Sequence, residues 1–147
     1  MFALIFGALT GFLDLQVWAA GRPCPPLSNF ATLKAMVTSH AWLNVGLLIV
    51  PVCLLYPLFE EIVFRGIFLD GLQAQFRSAW PPLLVSSGVF ALLHLTSVAD
   101  IRPILDLFAL ALALAWLTLR TRSLLPAFLL HAAYNSTELL LVFCRQP

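Results

Sequence analysis

Three ordered sets of polar residues interrupt a chain that is otherwise strongly apolar. The first is Glu60-Glu61-Ile62-Val63-Phe64-Arg65. On a helix Glu61 and Arg65 stand at i and i+4 with the acid N-terminal to the base, the order that pairs on one face. Glu60 points about 100° away around the axis and is left as the free carboxylate. The second set is Phe90-Ala91-Leu92-Leu93-His94, whose spacing puts ring and imidazole on one face. The third is His131-Ala132-Ala133-Tyr134-Asn135, with the same spacing, and Glu138 three residues further can share its face. A cavity lined by Glu60, His94, His131 and Asn135 holds a general base, two imidazoles and an amide donor. Peptide hydrolysis needs a water made nucleophilic, a carbonyl oxygen stabilised as it turns negative, and a proton for the leaving nitrogen. No serine or cysteine is poised for the attack. A carboxylate in low-dielectric surroundings, sharing a water with a histidine, supplies the nucleophile without a covalent intermediate. Glu60 and His94 fit that role, with His131 and Asn135 as donors to the oxyanion. Zinc on Glu60, His94 and His131 is the competing arrangement, because two histidines and a carboxylate leave an open fourth position.

These residues sit on stretches long and apolar enough to be membrane helices, which need about 20 mostly apolar residues. Residues 1–20 are apolar except for Asp14 and Gln16 and read as a first span, without the basic start of a secretory signal. Gly21-Arg22-Pro23-Cys24-Pro25-Pro26 then breaks the helix and opens a polar loop to about His40. Residues 42–76 form one long helical region carrying both glutamates. Pro51 and Pro57 predict a kink just before them, where neighbouring helices must satisfy the freed carbonyls. Residues 81–98, 103–119 and 124–143 are three further spans. The expectation is an all-α polytopic transmembrane bundle of about five spans, with a first span and Pro-rich loop over 1–41 and the chemically equipped core over 42–147.

Composition supports a lipid solvent. The chain is 61% hydrophobic and 10% charged, against about 45–50% apolar and about 25% charged in soluble domains. A formal charge of +1 provides no basic field, which excludes nucleic acid as a partner. Cys24, Cys53 and Cys144 form no C-x-x-C pair, and the final Cys144-Arg145-Gln146-Pro147 lacks the aliphatic centre of a prenylation box. Asn135-Ser136-Thr137 spells a glycosylation acceptor but lies inside an apolar segment rather than on a surface loop. Ionisable groups inside a span are costly and mark function by default, whereas Asp14, Asp70, Asp100 and Asp106 lie where water is near. Arg77, Arg120 and Arg122 fall on one side of the spans and Arg22, Lys34, Arg102 and Arg145 on the other, so charge leaves the orientation open.

Glu-Glu-x-x-x-Arg, Phe-x-x-x-His and His-x-x-x-Asn, in that order over residues 43–143, resemble the motifs of the CPBP intramembrane endopeptidases. That group includes the type II CAAX prenyl proteases and the bacteriocin-processing or Abi proteins. Each motif is weak alone; together and in order they are specific. The resemblance implies a glutamate-dependent protease within the bilayer. In it Glu60 is the base, Glu61 is held by Arg65, His94 partners the water, and His131 with Asn135 holds the oxyanion. It requires no cofactor in this reading, zinc being the alternative. It further implies a peptide or membrane-protein substrate and, for so compact a chain, a place in a prokaryotic cytoplasmic membrane. The competing class is a non-proteolytic membrane protein, an immunity scaffold or a proton or ion pathway, built on the same Glu and His residues.

Overall fold

The computed structural model describes residue 47 and residues 49–94 and 102–144. The expected first span, the Pro-rich loop and His40 lie outside these residues. Every element among them is helical. Helix α1 runs over residues 51–73 in four joined stretches: π-helical Pro51–Leu55, α-helical Tyr56–Glu61, π-helical Ile62–Leu69 and α-helical Asp70–Gln73. Helices α2 (Trp80–Leu93), α3 (Arg102–Thr121) and α4 (Leu125–Cys144) follow.

The prolines predicted to kink α1 act here through its hydrogen bonding. Proline has no N–H to donate, and the Tyr56 N–H reaches back five residues to the Pro51 carbonyl, a wide π turn of the kind that recurs at functional sites. Downstream, the second π stretch presents the Phe64 carbonyl to the Ser86 hydroxyl of α2 at 3.3 Å. The boundaries of the other helices follow local chemistry. Pro81 and Pro82 occupy the first turn of α2, where a missing N–H costs nothing. Arg122 ends α3 in the left-handed region at φ 52° and donates its N–H to the Thr118 carbonyl at 2.8 Å. Ser123 then accepts the Leu125 N–H at 3.3 Å, and α4 begins.

The bundle encloses several polar side chains within its apolar core and turns many large apolar ones outward. Glu61, Arg65, Ser86, Ser87 and His131 are buried, while Phe59, Ile67, Leu92, Trp116 and Leu129 are exposed. Small residues at the helix contacts, Ala111, Ala115, Ala127 and Ala132, allow close backbone approach. Leu69, Leu83 and Ala115, flanked by Leu112 and Leu119, form the apolar part of the core. Among the described residues one helix is long and apolar enough to cross a membrane by length and composition, Ile104–Thr121, with a mean hydropathy of 1.7. Helix α2 is apolar but has 14 residues.

Candidate active site

The Glu61–Arg65 pair predicted from spacing forms at 2.9 Å and is sealed from solvent. The guanidinium also donates from Nη2 to the Ala111 carbonyl of α3 at 3.2 Å and lies over the Phe90 ring, 4.6 Å from its centroid. A buried ion pair depends on partners for its remaining groups; α3 supplies a carbonyl and α2 a ring face, while Glu61 Oε2 and Arg65 Nε have no hydrogen-bond partner among the described residues. Glu61 does more than neutralise Arg65, because the same Oε1 receives Nδ1 of His131 at 2.8 Å.

Both histidines are oriented alike. His94 Nδ1 lies 2.8 Å from the Phe90 carbonyl one turn earlier on α2. A carbonyl only accepts, so this nitrogen carries the ring proton. His131 Nδ1 donates to Glu61 in the same way. With Nδ1 committed on each ring, both Nε2 atoms are presented to Glu60: His94 Nε2 at 3.8 Å from Oε1 and His131 Nε2 at 3.5 Å from Oε2. With Nδ1 held as a donor, Nε2 is the nitrogen of each ring left to exchange a proton. Phe90 is fully buried and holds the group in place, its ring centroid 4.6 Å from that of His94 at a 35° tilt and edge-on to Phe64 and His131 at 5.0 and 5.9 Å.

Access is one-sided. The side chains of Glu60 and His94 are 24% and 28% exposed, whereas Glu61 and His131 are buried. The arrangement brings Glu60, Glu61, Arg65, His94 and His131 into one connected cluster. Asn135 stands one turn beyond His131 and donates its amide to the Val52 carbonyl at 3.0 Å. Among the described residues no group of three or more His, Cys, Asp or Glu is arranged to hold a metal ion. Sequence reasoning missed the partners that are backbone atoms, Val52 and Ala111, and the paired serines of α2. Ser86 ties α2 to α1, and the buried Ser87 hydroxyl has no protein partner. Two consecutive serines in an apolar run were the available signal.

A cluster of carboxylates and imidazoles, enclosed at Glu61 and His131 and open at Glu60 and His94, thus lies within a bundle whose outward side chains are largely apolar. The sequence model of the type II CAAX prenyl endopeptidase Rce1-like family matches residues 29–137, and the chain belongs to that family. No curated protein and no solved structure matches it. The match spans all three motifs and runs from before α1 into α4.

Proposed function

We propose that the protein is an intramembrane endopeptidase in which Glu60 activates water against a peptide bond of a membrane-associated or C-terminally anchored substrate. The observation that carries this reading is the convergence of both Nε2 atoms on one half-open carboxylate while both Nδ1 atoms are tied elsewhere. Water bound between Glu60 and His94 Nε2 loses a proton to this pair as its oxygen attacks the carbonyl carbon. The oxyanion is held by His131, protonated on both nitrogens and supported by Glu61, and by the second amide hydrogen of Asn135. The proton taken from water passes to the leaving nitrogen as the C–N bond breaks. The protease core is residues 42–147, preceded by a span and loop over 1–41. The whole is a five-span protein of a prokaryotic cytoplasmic membrane, its glutamates on a helix bent near Pro51 and Pro57.

The decisive comparison is of membrane-protein fragments, by intact mass, in cells carrying wild type or Glu60→Gln at equal abundance. The Gln variant keeps the shape and removes the base, so a precursor accumulates and cleavage falls by about 10²- to 10⁴-fold. Cleavage in isolated membranes survives a chelator; loss to chelator with recovery on zinc would replace the glutamate–water mechanism by a metal one. If no species changes while a Glu60-dependent phenotype persists, the carboxylate serves binding or transport.

A further inference from the structure

The hydrogen bond from Asn135 to Val52 has a local cause in α1. The Val52 carbonyl ought to receive the N–H of residue 56 in an α turn or of residue 57 in a π turn. The Tyr56 N–H is spent on Pro51, and residue 57 is proline, which has none. The carbonyl is therefore left without a backbone donor in an apolar bundle, a destabilising condition unless another group supplies the proton. The side-chain amide of Asn135 does so, at 3.0 Å from α4.

We infer that Asn135 is a positioning residue for Glu60, replacing the donor that Pro57 lacks and so pinning the start of α1 to α4. This goes beyond the role of its second amide hydrogen and rests on the reading of Glu60 as the reacting carboxylate. The two helices touch at two rungs. Val52 meets Asn135, and eight and nine residues later Glu60 and Glu61 meet His131. Contacts that advance along α1 while retreating along α4 make the helices antiparallel, with Pro57 lying between the rungs. One rung consists of charged and titratable groups, whose geometry depends on protonation. The other is a neutral amide on a carbonyl, which holds in every protonation state. Losing it frees the π turn to move, and Glu60 with it, away from the two imidazoles.

The test uses the purified full chain in detergent, with and without Glu60→Gln, and needs no substrate. Asn135→Ala is expected to lower the melting temperature by roughly 3–6 °C in both backgrounds. Asn135→Asp, the same shape with an acceptor facing an acceptor, lowers it at least as far, and Asn135→Gln, which keeps the amide, lowers it least. The second arm follows modification of Glu60 by dicyclohexylcarbodiimide, an apolar carboxyl reagent, located by peptide mass with the sealed Glu61 as internal control. Below their melting temperatures the Ala and Asp variants label faster at Glu60 than wild type. The inference is overturned if Asn135→Ala or Asn135→Asp melts like wild type, if Asn135→Gln ranks below Asn135→Asp, or if melting falls while Glu60 labelling is unchanged. Turnover enters neither arm, so failure of the proteolytic reading leaves both measurements intact.

Discussion

At the scale of single residues, the two adjacent glutamates divide the work because a helix turns them apart. Glu61 is enclosed with Arg65 and His131, and Glu60 faces the opening. This division predicts different outcomes for the same substitution. Glu60→Gln removes activity and leaves folding unchanged. Glu61→Gln leaves a buried guanidinium without its counter-charge and gives Arg65 and His131 only a neutral amide oxygen to share, so it costs about 3–5 kcal/mol of stability. Thermal melts of the two variants side by side decide it: equal melting temperatures would refute the structural role given to Glu61. The i, i+4 spacing made the Glu61–Arg65 pair legible in the sequence. The second bond of Glu61, to His131 seventy residues away, was not, because helix periodicity relates residues on one element and is silent about which faces meet.

At the scale of elements, the site depends on helices that are held by irregularities. Helix α1 needs its π turns, whose carbonyls Asn135 and Ser86 engage. The turn from α3 into α4 places His131 by way of Arg122 at φ 52°, a conformation that costs an L-residue roughly 1–2 kcal/mol and glycine almost none. Arg122→Gly is therefore expected to raise the melting temperature, and Arg122→Val, β-branched in the same conformation, to lower it. The reverse order would show that the turn relaxes rather than holding that backbone. The helices were readable from apolar run length and from prolines at their starts, and the need of α1 for donors from its neighbours was readable from Pro51 and Pro57. That this need is met by a change of hydrogen-bond register, with Asn135 as the donor, was not readable. Either an α or a π pattern suits the same run of apolar residues, and only the folded backbone, with Asn135 of α4 on the Val52 carbonyl, shows which is adopted.

At the scale of the whole molecule, large apolar side chains face outward around a core that also encloses charged groups, the distribution expected of a family whose solvent is lipid. Trp116, 53% exposed on α3, reports on that solvent. In a variant with Trp116 as its single tryptophan, reconstituted into vesicles, lipids brominated along the acyl chain quench its fluorescence and an aqueous quencher does not. Quenching by the aqueous agent alone would place this face of α3 in water and contradict a membrane-embedded bundle.

The sequence by itself determined the solvent, the helical class, the family and the identity of the polar residues that share each helix face. These are properties of composition and of a fixed helical period, and both are local. Only the tertiary structure decided that both imidazoles turn Nε2 toward Glu60, that Glu61 bridges Arg65 and His131, and that Asn135 reaches the Val52 carbonyl. Each is a contact between different helices or a choice of ring orientation. Such contacts depend on how close the helices come and which faces meet, and the small alanines at their crossings and the prolines within α1 set that approach only after the chain has folded.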